Sequence, residues 1–320
     1  MKRLVEFVLS IACACAAIPA AHAQEQPKGI VKVVVTNSAG TQMDAIARVL
    51  AEELAKVLGQ AIVVENRPGA DQIIGLEHVL KQPADGNTLV VTANTGFVTL
   101  PVTSKSLRFD PLKDFVAVAG LVEGRSVFGS ASTMPWKTFQ EFLRQAKEKP
   151  GKLNYASASP TSRLLTEALL RAPSIGIQMT AIPYASTSSY VQGIVAGDVH
   201  FAMMSETVAL TLGERFRPLV VTGTTRMAAY PEVPTFQELG YPQFRGQAYS
   251  ALVRAGTPQA VRERYSAAIS QVLKEPAVKA RFANLQLEVL PDTSADAATR
   301  SLREEAHRNA ETAKAIGLTN

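Results

Sequence analysis

The chain has 320 residues, with 33 Lys and Arg, 28 Asp and Glu, and a formal net charge of +5 at neutral pH. Charges of both signs are interspersed without a basic run, so the composition gives no case for a nucleic-acid partner. The length suffices for about two domains. After the N-terminal segment no stretch holds 18 consecutive apolar residues, which predicts a soluble mature protein.

The N-terminus has the order of a secretory signal. Residues 1–3 are Met-Lys-Arg, residues 4–18 are mostly apolar, and Ala21-His22-Ala23 offers small residues at the two positions that a signal peptidase reads. We predict a signal peptide over residues 1–23 and a periplasmic location. A membrane anchor, or a lipoprotein attached through Cys13 or Cys15, is the alternative. Both cysteines lie in this segment, so the mature chain has no thiol for a disulfide or a metal.

Strand-like and helix-like segments alternate along the rest of the chain. The predicted strands are Ile30–Val35, Ala61–Val64, Thr88–Thr92, Ser126–Gly129, Leu153–Ala156, Gln178–Ile182, Val199–Met203 and Pro218–Thr222. The predicted helices are Asp44–Leu58, Ile73–Leu80, Thr138–Lys149, Arg163–Leu170, Tyr190–Ala196, Thr257–Glu275 and Ser294–Ala315.

This alternation predicts an α/β fold. We expect a two-lobed architecture like that of type II periplasmic binding proteins, in which each lobe is a mainly parallel sheet flanked by helices. Residues 24–125 and 231–320 form the first lobe, and residues 126–230 form a second lobe inserted into it.

Sequence motifs for catalysis or cofactor binding are missing. Three histidines follow the signal segment, His78, His200 and His307, and no two of them have metal-ligand spacing. There is no Gly-x-Ser-x-Gly nucleophile motif, no phosphate-binding Gly-x-x-x-x-Gly-Lys loop and no Gly-x-Gly-x-x-Gly after the first strand. We therefore expect no catalytic residue, no metal and no cofactor.

Two strand-to-helix loops are rich in small and hydroxylated residues, Thr36–Asp44 and Ser157–Ser162. Such loops let backbone N–H groups reach a ligand, and a helix N-terminus favours negative charge. Two loops on opposite lobes would hold an organic anion between them, with Arg163 directly after the second loop as a candidate for pairing with its charge. The alternative is ordinary helix capping by Ser, Thr and Asp, and a solvated arginine.

A series of short motifs, in a fixed order, carries a family resemblance. The motifs are Leu58–Gln60, Val63–Ala70, Ala84–Leu89, Phe109–Pro111, Lys113–Phe115, Pro150–Ser157, Pro183–Tyr184, Gly197–Val199, Pro231–Thr235 and Ala255–Pro258. With them the chain, from about Ile30 to Leu318, resembles the substrate-binding receptors of tripartite tricarboxylate transporters, the Bug-type or TctC-like family. The resemblance implies a closing two-lobed receptor that binds a carboxylate and delivers it to integral-membrane transporter subunits.

The pocket positions depart from that family's pattern more than the scaffold does. The usual Pro-x-Pro-Pro-Gly-Gly-Gly-Thr-Asp keeps Gly40 and Asp44 alone, and the usual Phe-Asp-Asn becomes Met203-Met204-Ser205. We expect a changed ligand, larger or less acidic than is typical. The expected ligand-binding residues are Ser38, Ala39, Gly40, Thr41, Asp44, Asn94, Thr95, Ser157, Ser159, Thr161, Ser162, Arg163, Tyr184 and Ser205.

The predicted function is thus capture of a small organic acid by a monomeric periplasmic receptor. Two alternatives stay open at this point. One is a receptor that docks to a sensor kinase, and the other is a periplasmic enzyme on the same scaffold.

Overall fold

A computed structural model describes residues 29–157, 160–184, 187–242 and 244–317, without the side chains of residues 160, 161, 187 and 188. The predicted signal peptide lies outside the described residues. The strands are β1 Val31–Val35, β2 Ile62–Asn66, β3 Thr88–Ala93, β4 Phe115–Gly124, β5 Ser126–Ala131, β6 Asn154–Ser157, β7 Thr180–Pro183, β8 Ala202–Ser205, β9 Phe216–Val221, β10 Gln247–Arg254 and β11 Leu287–Val289.

The helices largely follow the predicted segments. They are α1 Gln42–Leu58, α2 Ile73–Leu80, α3 Asn94–Thr103, α4 Pro111–Asp114, α5 Phe139–Glu148, α6 Pro160–Arg171, α7 Thr187–Ala196, α8 Glu206–Leu212, α9 Gln259–Lys274, α10 Pro276–Asn284 and α11 Ala295–Ala315. The sequence did not predict α3, α4, α8, α10, β4, β10 or β11.

Lobe 1 is built on a six-stranded sheet in the order β11-β4-β10-β3-β1-β2. Val33 and Val34 point to opposite faces of β1, and both are fully buried because helices cover the sheet on both sides. Helices α1, α9 and α10 pack on one face, and α2, α3 and α11 pack on the other. The continuous valine run of β1 is therefore that of a strand buried on both faces.

Lobe 2 contains strands β5 to β9 and helices α5 to α8. Strand β5 pairs with β8 and β9, β6 pairs with β7, and a bridge from Tyr155 to Phe201 joins the two groups. An aromatic core fills this lobe, with Phe142 and Phe201 stacked at a centroid distance of 4.4 Å.

The α/β, two-lobed prediction is confirmed, with one correction to the sheets. Strand β1 is parallel to both β2 and β3, and β6 is parallel to β7, but β10 runs antiparallel to β3 and β4, and β5 runs antiparallel to β8 and β9. The lobe 1 sheet is mixed because the chain that returns from lobe 2 inserts β10 between two lobe 1 strands, whereas the three-stranded sheet of lobe 2 is antiparallel.

The limits of the lobes follow from where the chain crosses between them. The outward crossing joins β4 to β5 at Arg125, and we keep residue 126 as the proposed start of lobe 2. After β9, Phe236 is buried in the aromatic core of lobe 2 and Thr235 bridges Val221. We therefore propose that lobe 2 extends to Phe244, rather than ending at residue 230.

Candidate functional site

A cavity of about 800 Å³ lies between the two lobes, at the end where the crossing segments meet. Helix α11, the start of α3 and the ends of β4 and β10 form its lobe 1 wall. Helix α6 and strands β5 and β8 form its lobe 2 wall. This volume is within the usual range of ligand sites, about 300–1,000 Å³.

Polar side chains of α11 dominate the lobe 1 wall. Glu305, Arg308, Asn309 and Thr312 recur at a spacing of three or four residues, which places them on one face of the helix. Thr95, in the first turn of α3, donates a hydrogen bond to Oε1 of Glu305. Burial raises the pKa of Glu305, although the Thr95 hydrogen bond and the Arg308 charge act in the opposite direction.

Two α11 side chains on this wall have polar groups without a protein partner. Asn309 is 3 % exposed, and its Nδ2 makes no hydrogen bond in the described part of the chain. The exposed Arg308 side chain forms no ion pair with any described residue. An unsatisfied buried amide costs free energy, so both groups are free to meet a ligand.

The lobe 2 wall is mostly apolar. Leu165 and Leu169 lie one turn apart on α6, and Phe128 and Met203 lie opposite each other in neighbouring strands β5 and β8. Leu169 and Phe128 also belong to the lobe 2 core, so their positions are fixed by packing. The two walls of the cavity therefore have different chemistry.

Arg125, in the outward crossing, ties the two lobes together. Its guanidinium pairs with Glu288 of β11 in lobe 1 and donates to Oγ1 of Thr225 in lobe 2 at 3.0 Å. Near this cluster, the buried Glu206 of α8 accepts hydrogen bonds of 3.1 Å from the amide of Gln286, when that amide is oriented to donate. Burial lowers the pKa of Arg125 and raises the pKa of Glu206.

The first predicted loop is firmly held, and Gln42 is its one described residue that lines this cavity. Ser38, Ala39 and Gly40 are exposed, and Thr41 caps α1. Asp44 is the residue that fixes the loop. It accepts hydrogen bonds from the Gly40 N–H at 2.9 Å, from Asn66 Nδ2 at 3.0 Å and from Arg48 Nε at 3.0 Å.

These contacts give Asp44 an internal role. The Arg48 hydrogen bond, together with the bonds from Gly40 and Asn66, lowers the pKa of Asp44 against the opposing effect of burial. Thr41 and Asp44 thus make the contacts expected of residues that cap a helix, as in the alternative given for this loop. A ligand role for this loop remains a prediction.

The second predicted loop is nearer to the cavity. Ser162 lines it, and its Oγ lies 3.4 Å from that of the buried Ser157. Ser159 and the side chain of Thr161 lie outside the described residues. Arg163 is half-buried on α6, outside the cavity lining, with its Nε enclosed and without a hydrogen bond in the described chain.

The other predicted residues divide between the cavity and its surroundings. Thr95 and Ser205 line the cavity, and Ser205 also caps α8. Asn94 is buried beside Thr95, and the Oδ1 of Asn94 has no hydrogen-bond partner among the described residues. Tyr184 packs over Gly193 and edge-to-face on Tyr190 in lobe 2.

Sequence reasoning missed the α11 residues that form the polar wall. Their helix was predicted as amphipathic, but nothing in its pattern distinguishes a cavity-facing polar stripe from a solvated one. One sequence feature did indicate the cavity. Met203-Met204-Ser205 replaces the family's usual Phe-Asp-Asn, and these three residues line the cavity.

Comparison with known proteins places the chain in a family. Residues 46–318 match the TctC family, described as the tripartite tricarboxylate transporter family receptor. The chain belongs to this family. It is 34 % identical over 250 residues to a protein encoded in the tcbD–tcbE intergenic region of Pseudomonas sp. strain P51, covering 77 % of this receptor and 74 % of that relative.

Solved structures agree with this assignment. The receptor is 25 % identical to the periplasmic binding protein BugD, with a TM-score of 0.69, covering 92 % of this chain and 99 % of that one. It is 27 % identical to MatC from Rhodopseudomonas palustris with bound malate, with a TM-score of 0.68, covering 90 % and 99 % of the two chains.

The chain is thus a periplasmic solute-binding receptor of the TctC/Bug family, a family of solute-binding proteins. Within the described residues no helix is long and apolar enough to cross a membrane. The same residues contain no group of three His, Asp or Glu side chains arranged to hold a metal ion.

Proposed function

We propose that this receptor captures an organic carboxylate in the cavity between its lobes and delivers it to the integral-membrane subunits of a tripartite tricarboxylate-type transporter. The observation that carries the proposal is the set of arginine side chains that line the cavity. Among the described residues that line it, there are four arginines and two glutamates.

Three of these arginines are paired with carboxylates, and one forms no salt bridge within the described residues. Arg125 pairs with Glu288, Arg171 with Glu167, and Arg245 with Glu123, so these three arginines are locally neutralised. Arg308 forms no salt bridge within the described residues, and it faces the same cavity as Glu305 and Glu311. The malate bound to MatC, at 27 % identity, supports a carboxylate as the ligand class.

We also propose that residues 1–23 direct export, that the mature receptor is a monomer, and that it has no enzymatic activity. Ligand exchange would open and close the lobes about the two crossings, a hinge motion. The Arg125 cluster and the contact between Glu206 and Gln286 join both lobes and would favour the closed form.

Thermal unfolding of the mature protein tests the ligand class. A ligand at about a hundredfold excess over its Kd stabilises the folded state by about 2.7 kcal/mol, which corresponds to a rise of about 5 °C or more in Tm. We expect such a rise with at least one member of a panel of mono-, di- and tricarboxylates and aromatic acids. Their uncharged amides serve as controls. A panel in which neutral compounds raise Tm and no acid does would refute carboxylate binding.

A further inference from the structure

The cavity has one polar and one apolar wall, and this arrangement restricts the kind of acid that fits. Lobe 1 contributes the polar stripe of α11 and Thr95. Lobe 2 contributes the apolar surface of α6, β5 and β8, with Leu165, Leu169, Phe128 and Met203. A ligand held between the lobes touches both walls at once.

The polar wall offers a place for one carboxylate. Arg308 forms no salt bridge with any described residue, although its charge acts on Glu305, and the adjacent Asn309 provides a buried Nδ2 without a hydrogen bond among these residues. The neighbouring Glu305 is already engaged by Thr95. If a ligand carboxylate accepts hydrogen bonds from Arg308 and Asn309, the buried amide is satisfied and the charge is neutralised.

The lobe 2 wall also has polar side chains, but these already have protein partners: Arg171 pairs with Glu167, Tyr190 donates to the Met203 carbonyl, and Ser205 caps α8. Leu165, Leu169, Phe128 and Met203 offer no hydrogen-bond donor in their side chains, and a charged group against such a surface loses its hydration without compensation. A hydrocarbon body is favoured there, because each buried methylene contributes about 0.8 kcal/mol, or roughly a fourfold gain in affinity.

We infer that the ligand of this receptor is a monocarboxylate with a bulky hydrocarbon body. Its carboxylate lies on α11 at Arg308 and Asn309, and its body lies against α6, β5 and β8. The inference rests on the proposed function and narrows it: a short di- or tricarboxylate is not the preferred ligand. A cavity of about 800 Å³ has room for such a body.

Calorimetric titration of the mature receptor with two sets of acids tests the inference. The first set is the straight-chain series from acetate to octanoate together with phenylacetate, and the second is succinate, malate and citrate. We expect affinity to rise by up to fourfold per methylene until the wall is covered. We also expect octanoate or phenylacetate to bind at least tenfold more tightly than any acid of the second set.

Variants of α11 test the place of the carboxylate. Arg308→Gln is expected to weaken binding of the best acid at least tenfold and to leave binding of its uncharged amide within twofold. Arg303→Gln, at an exposed α11 position outside the cavity lining, is the matched control and is expected to change neither affinity by more than twofold. Equal losses in both variants, or no loss in either, would overturn the assignment.

Asn309→Leu separates a ligand role from a structural one. The substitution removes the buried amide that has no partner, so the ligand-free Tm is expected to stay or rise while acid affinity falls severalfold. If the variant has a lower ligand-free Tm and an unchanged affinity for the acid, Asn309 stabilises the fold and does not bind the ligand. Leu165→Gln, on the half-buried part of the apolar wall, is expected to reduce the gain in affinity per methylene.

The outcomes keep this inference distinct from the proposed function. If malate, succinate or citrate binds more tightly than every monocarboxylate, the inference fails and carboxylate capture stands. If no acid of either set binds and neutral compounds do, carboxylate capture itself fails.

Discussion

Replacing Glu305 by Gln is expected to stabilise the ligand-free protein at neutral pH and to change its stability little in acid. Burial raises the pKa of Glu305 above its ordinary value of 4.5. The folded protein therefore holds this proton in a pH range where the unfolded chain has lost it. Stability due to Glu305 is fully present below the unfolded pKa, and it falls as pH rises to the folded pKa.

For one proton, this loss is about 1.4 kcal/mol per pH unit within that window. The amide of the variant has no proton to lose, and its oxygen still accepts the hydrogen bond from Thr95. The difference in the free energy of unfolding between Glu305→Gln and the parent should therefore increase as pH rises, by up to about 1.4 kcal/mol per pH unit. It should become constant above the folded pKa of Glu305.

Urea unfolding between about pH 4 and pH 8, followed by far-UV circular dichroism, measures this difference. Glu304→Gln is the control, because Glu304 is the exposed neighbour on the same helix. A stability difference that shrinks as pH rises would refute the reasoning. So would an equal slope in the control, because it would show that net charge rather than burial is responsible.

Three further substitutions or measurements test the fold. Asp44→Ala removes the acceptor of three hydrogen bonds and should lower the free energy of unfolding by about 2 kcal/mol at neutral pH. The difference should fade only in strong acid, since the lowered pKa of Asp44 keeps its contribution until pH falls through that value. Gly129→Ala should cost about 1–3 kcal/mol in urea unfolding, because the added Cβ would lie 2.2 Å from the Arg217 carbonyl oxygen. Trp136 is 4 % exposed, donates to Ser130 Oγ at 2.8 Å and lies outside the cavity lining. Its emission should be blue-shifted and change little with ligand, and a large ligand-dependent change would contradict its position.

Local periodicity predicted much of the fold. Helix α2 was predicted at its observed limits, and β1, β3 and α11 differ from their predicted ranges by one residue at one end. These segments have a clear apolar period or a β-branched run, and capping residues or glycines end them. Many of the family motifs lie in turns and at element ends, although Pro150–Ser157 contains all of β6 and Val63–Ala70 contains most of β2.

Two of the three strands that escaped prediction, β4 and β10, lie inside the lobe 1 sheet, and the third, β11, is at its edge. β4 carries glycines and a buried Glu123, and β10 mixes Gln, Ser and Tyr with its apolar residues, so neither has a regular alternation. Their positions depend on pairing with strands far away in sequence. That pairing also made the lobe 1 sheet mixed, which a local pattern does not reveal.

The sequence by itself determined the family, the alternation of helices and strands, and the division into two lobes, because these depend on local periodicity and on ordered motifs. The tertiary structure alone decided which residues share the cavity. Thr95, Ser205 and the polar face of α11 are separated by about a hundred residues or more in the chain, and they meet because β10 returns into the lobe 1 sheet and α11 packs beside α3. A polar stripe on a helix has the same sequence pattern whether it faces water or a ligand. The packing of the opposite lobe decides between the two.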